Sequence, residues 1–84
     1  MMDIKGYQAR MARSALGVSR DELAEASGVS VAALQNFENG KRTPQGRTLR
    51  DIRQTLEQFG VEFIDRGVRL TMQAHQNACE ESED

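Results

Sequence analysis

The chain is poor in the residues on which small exported domains depend. Its 84 residues include one cysteine (Cys79), one proline (Pro44), no tryptophan, one tyrosine and three phenylalanines. A single cysteine excludes an internal disulfide. Small secreted domains usually need such staples, so an intracellular location is expected. No apolar run approaches the ~20 residues that span a bilayer, and the opening MMDIKGYQARMAR has no apolar core of a secretion signal. A chain of this length makes one domain and buries only about 60% of the surface its unfolded form exposes, which argues against a large enclosed substrate cavity. Cys79 and the lone His75 assemble neither a conventional zinc set nor a shaped nucleophile–base pair. There is no glycine-rich phosphate loop. No metal, cofactor or catalytic activity is therefore expected.

A surplus of positive charge is also missing at first sight: 11 basic and 13 acidic residues give a net charge of -2. The distribution changes that picture. Glu80, Glu81, Glu83 and Asp84 place four acids in the last five residues, and without them residues 1–79 carry +2. Between Lys41 and Arg53 stand five basic residues and one acid, Asp51. Local charge, not whole-chain balance, governs attraction to phosphate.

Glycines divide the rest into segments of helical period. Met11, Ala12, Ala15 and Leu16 share a face of a first helix from about Lys5 to Leu16, with Gly17 suited to the left-handed position after its end. Ser19-Arg20-Asp21-Glu22 has the form of a capping box, so a second helix starts near Arg20, carries Leu23, Ala24 and Ala26, and ends before Gly28. Ser30 caps a third from about Val31 to Asn39, with Leu34 and Phe37 on one face. A fourth runs from Gly46 or Arg47 to Phe59 on the stripe Leu49, Ile52, Leu56, Phe59. Val61–Ile64 and Val68–Thr71 then read as strands, and Asp65-Arg66-Gly67 between them fits a three-residue turn with a bulge. Beyond Met72 the chain is polar and acidic and is expected to be disordered.

Two of these helices are joined by Ser27-Gly28-Val29-Ser30. The small Ala24 lets them cross closely, Gly28 turns the backbone without a Cβ penalty, and Val29 fills the gap. Leu23, Leu34 and Phe37 fix the crossing angle, so the second helix of the pair protrudes. Taken in order, Ala12-Arg13, Leu16-Gly17, Ser19, Leu23-Ala24, Gly28-Val29-Ser30, Leu34 and Glu38-Asn39-Gly40 resemble the Cro/C1-type (XRE) helix-turn-helix regulators over roughly residues 5–60.

The resemblance implies a mostly α, lambda-repressor-like domain of four or five helices, residues 1–60, that recognises double-stranded DNA as a homodimer in a bacterial or phage-type cytoplasm. It implies an ion pair between Arg13 and Glu38, which is chemically reasonable because a guanidinium fork holds a carboxylate bidentately. By the family pattern the base readers are Ser30, Val31, Ala32, Gln35 and Asn36. Gln35 and Asn36 match adenine N6/N7, whereas Val31 and Ala32 offer only apolar contact to a thymine methyl. Phosphate contacts are expected from Ser19 and Arg20, because helix amino ends attract anions, and from Asn39, Lys41, Arg42 and Arg47.

A short C-terminal β-hairpin or strand pair, residues 61–72, is marginal alone and must pack on the domain, on a second chain, or both. Phe59, Val61, Phe63, Val68 and Leu70 are its expected dimerisation residues. The resulting expectation is a repressor on an inverted repeat. The alternative is an antitoxin that masks a partner protein, reached through the acidic tail of residues 73–84.

Overall fold

The computed structural model describes residues 4–71. The acidic tail, His75, Cys79 and the protein-partner role expected there lie outside the described residues. Four helices, α1 (Gly6–Leu16), α2 (Arg20–Ser27), α3 (Val31–Glu38) and α4 (Gly46–Phe59), precede two strands, β1 (Val61–Ile64) and β2 (Gly67–Leu70). The fold is mostly α with a C-terminal hairpin. No helix among the described residues is long and apolar enough to cross a membrane.

Helix ends follow local chemistry. The Ser19 hydroxyl accepts from the Glu22 amide at 3.0 Å and the Glu22 carboxylate accepts from the Ser19 amide at 2.9 Å, closing the expected capping box. The Ser30 hydroxyl accepts from the Ala33 amide at the start of α3. At the end of α2, Gly28 takes a φ of 74° and its amide donates to the Ala24 carbonyl, which tightens the turn into α3.

The core is a single cluster of Ile4, Ala9, Ala12, Leu23, Ala24, Leu34, Phe37, Leu49, Ile52, Leu56 and Val61, with Leu16, Val18, Val29, Phe63, Val68 and Leu70 packed against it. Leu23, Leu34, Ile52 and Leu56 are fully enclosed. Three members of the expected apolar faces differ. Ala15 and Ala26 are exposed, since a methyl group gains too little from burial to dictate which way a helix turns. Phe59, at the end of α4, is 39% exposed.

The buried surface of α1 instead centres on Gln8, Ala9 and Ala12. The Gln8 amide is only 4% exposed, yet all its bonding capacity used here is directed: its oxygen accepts from the Lys5 amide, and its nitrogen donates to the Ile64 and Gly67 carbonyls at 2.8 and 3.0 Å. Burial of an amide costs little when every group finds a partner. This side chain clasps the hairpin tip to the first turn of α1. Next to it, Gly6 lies so close to α3 that an added Cβ would overlap the Phe37 carbonyl. The first turn of α1 therefore touches both the hairpin and the end of α3.

The strands pair antiparallel, Val61 with Leu70 and Phe63 with Val68. These four side chains face the chain's own core: Val61 is buried, and the other three are packed against the helices. The dimerisation residues expected in the hairpin thus pack within one chain, and Phe59 is the one residue of that set that is exposed. The turn also differs from expectation. Ile64 pairs with Gly67, so the loop has two residues, Asp65 and Arg66, and the left-handed backbone falls on Arg66 (φ 62°) and not on Gly67. The Gln8 clasp on both flanking carbonyls holds that short loop.

Candidate nucleic-acid interface

The turn Gly28–Ser30 hangs α3 across α2. Because Leu34 and Phe37 are buried, the positions between them on the helix surface must face out. Ser30, Val31, Ala32 and Gln35 are exposed and Asn36 is half-buried. These are the five residues assigned to base reading from the sequence, and they share the open side of α3. Val31, at 38% exposure, is a large apolar residue left in water at the leading end.

The other end of α3 is anchored electrostatically. The Arg13 guanidinium donates to both oxygens of Glu38, at 2.7 and 2.8 Å, and to the Val18 carbonyl at 3.2 Å. The Glu38 side chain is wholly enclosed, with that of Arg13 15% exposed. Burial pushes the Glu38 carboxyl upward, but the hydrogen bonds and charges of Arg13 and Arg20 outweigh it and hold the group below the usual carboxylate range. The same bonds raise Arg13 against its own partial burial. Glu22, exposed at the amino end of α2, is also lowered, by the Ser19 amide and hydroxyl.

Arg20 is more constrained than its sequence suggested. Its guanidinium donates to Glu38 at 3.3 and 3.4 Å, longer contacts than those of Arg13. One carboxylate thus gathers two cations from α1 and α2 onto the end of α3, so the three-residue cluster itself carries one net positive charge, beside the acids Asp21 and Glu22 in the first turn of α2. Sequence spacing carries no sign of this second pairing, since any exposed arginine after an N-cap reads the same. Ser19, Asn39, Lys41, Arg42 and Arg47 are all exposed.

The segment after α3 doubles back along it. The Lys41 and Arg42 amides both donate to the Asn36 carbonyl, at 2.9 and 3.3 Å. Ser30, Ala32, Ala33 and Asn36 of α3 consequently face Arg42 and Pro44 across a groove of about 260 Å³. A larger groove, about 500 Å³, opens at the far end of α3 between Ile4, Tyr7, Arg10, Phe37 and Leu49.

A helix-turn-helix family model matches residues 10–58, more than half of the chain. The chain belongs to the Cro/C1-type helix-turn-helix family. A comparison with curated proteins returned no match. The matched span covers most of α1, all of α2 and α3 and nearly all of α4, and stops short of the hairpin. This helix-turn-helix protein is a DNA-binding transcription regulator in kind.

Proposed function

We propose that the protein is a repressor that binds an inverted-repeat operator as a homodimer, with α3 lying in the major groove. The observation that carries this reading is the outer side of α3 and its cap, with Ser30, Val31, Ala32 and Gln35 exposed and Asn36 half-buried, on a helix pinned to the core by Leu34, Phe37 and Glu38. A short helix held that way enters a groove without having to order itself first. Ser19, Arg20, Asn39, Lys41, Arg42 and Arg47 supply phosphate contacts that set its register. Occupation of a promoter by so small a domain blocks polymerase without further machinery, which favours repression.

The test is a footprint of the purified protein on its own upstream region, repeated with Asn36→Ala and Gln35→Ala. Each substitution is expected to weaken operator binding by about 1–3 kcal/mol and to relax preference at one base pair. An equal loss on every duplex sequence would show that neither side chain reads bases.

The second chain is proposed to meet this one at the Phe59 end of α4 and at the hairpin. Phe59 and Ile64 are 39% and 40% exposed. The Thr71 amide donates to the Gly60 carbonyl at 2.7 Å, which fixes the alternation of the ladder. In that alternation the backbone groups of Phe63 on one edge, and of Val68 and Leu70 on the other, point away from the hairpin and can extend a sheet. Phe59→Glu combined with Ile64→Glu is expected to convert a dimer in sedimentation to a monomer while the helical spectrum is retained. An unchanged dimer would place the contact elsewhere.

A further inference from the structure

Two of the five readers on α3 are unable to hydrogen bond through their side chains. Val31 and Ala32 occupy the leading end, where base edges are closest, so the helix alone supplies few of the polar contacts that distinguish one base pair from another. A donor from outside the helix would fill that deficit. The loop that follows α3 provides one.

Arg42 has the required placement. Its amide is tied to the Asn36 carbonyl at 3.3 Å, with that of Lys41 at 2.9 Å on the same oxygen. Two residues on, Pro44 has a ring-fixed φ. The loop is thus held against α3 at a defined position, and Arg42 lines one groove with Ser30, Ala32 and Asn36. No acid lines that groove. The Arg42 side chain makes no hydrogen bond or ion pair with any described residue, in contrast to Arg13 and Arg20, which are drawn onto Glu38. A planar fork of five donors, uncommitted and adjacent to the reading residues, matches the two acceptors that guanine O6 and N7 present in the major groove.

We propose that Arg42 is a specificity-determining residue that reads a guanine beside the bases faced by Ala32 and Asn36, and is more than a phosphate contact. This rests on the DNA-binding reading above and assigns to a loop residue a role expected only of the helix. The arrangement divides the work: Val31 and Ala32 exclude water and touch methyl groups, Asn36 engages an adenine, and Arg42 adds a G·C requirement.

The experiment is selection of bound duplexes from a randomised library by the full-length protein and by Arg42→Lys and Arg42→Ala, with affinity for the winning site measured across salt concentrations. The wild-type protein is expected to enrich a guanine in each half-site. Arg42→Lys retains the charge but loses the fork. It should keep the steep salt dependence while its preference for that guanine falls at least about tenfold. Arg42→Ala should lose the same preference and, if a neighbouring phosphate also sees the charge, part of the salt slope. Arg42 is exposed, and circular dichroism checks that both variants fold. A selected sequence unchanged in both variants, with uniformly weaker binding and a shallower salt slope in Arg42→Ala, would overturn the proposal while leaving DNA recognition by α3 intact. A wild-type protein that enriches no sequence would overturn both.

Discussion

Replacing Glu38 by glutamine is expected to cost about 3 kcal/mol of folding stability at neutral pH, the lower end of the range for breaking a buried ion pair. The lower end applies because the guanidiniums of Arg13 and Arg20 keep some contact with water, at 15% and 32% exposure, while the Glu38 side chain has none. The substitution keeps the shape and removes the charge. It leaves two cations converging on an amide that offers one acceptor oxygen where Arg13 had used two. A chain of this length has about 4–13 kcal/mol in all, and 3 kcal/mol corresponds to roughly 12–24 °C in melting temperature.

The pH dependence separates this account from a simple packing defect. The Glu38 carboxyl is held below its ordinary range in the folded chain. Its contribution is therefore complete above the pKa of the unfolded chain and is lost as the pH falls through the lower, folded value. Thermal melts of the wild-type and Glu38→Gln proteins should lie far apart at pH 7 and converge in acid. A gap that stays constant down to pH 3 would mean that the charge of Glu38 contributes little.

Leu34→Ala is the second large effect, expected at about 2–5 kcal/mol by urea denaturation. Leu34 is fully buried in the middle of α3, where it joins Leu23, Phe37 and the α4 side chains in one cluster. Truncation removes the transfer energy of three carbons and opens a cavity that short, capped helices have little freedom to close. The upper end of that range exceeds the lower bound of about 4 kcal/mol for the stability of the whole domain. A loss below about 1 kcal/mol would show that α2 and α3 collapse into the space, in which case the operator contacts proposed for α3 should suffer more than stability does.

The parts readable from the sequence are those whose causes are local. Ser19 and Glu22 are three residues apart, so their reciprocal caps follow from spacing. Gly28 marks a turn because few other residues accept its backbone, and the stripes of α3 and α4 fall on steps of three and four. The parts that were not readable join distant segments. Gln8 bonds to carbonyls 56 and 59 positions away, and a glutamine on a helix otherwise reads as solvated. Arg20 reaches Glu38 across 18 positions, which gives an expected phosphate ligand a second place in an ion cluster. The hairpin was visible as two β-prone runs, but the packing of Val61, Phe63, Val68 and Leu70 against the chain's own helices was not. Glycine at 67 suggested the left-handed residue of the turn, whereas the two-residue register placed it on Arg66. On the interface, the exposed set of α3 was legible from the burial of Leu34 and Phe37, while the approach of Arg42 was not, because it depends on backbone bonds from the loop to Asn36.

An eight-residue helix has almost no helical tendency of its own in water. Here α3 borrows its permanence: a hydroxyl cap at one end, a carboxylate gripped from two neighbouring helices at the other, and two side chains sunk in the common core. It has no private melting transition, so its amide protons should be released to solvent only when the whole domain opens. The element proposed to meet DNA would then be among the last to loosen, together with the loop tied to it at the Asn36 carbonyl.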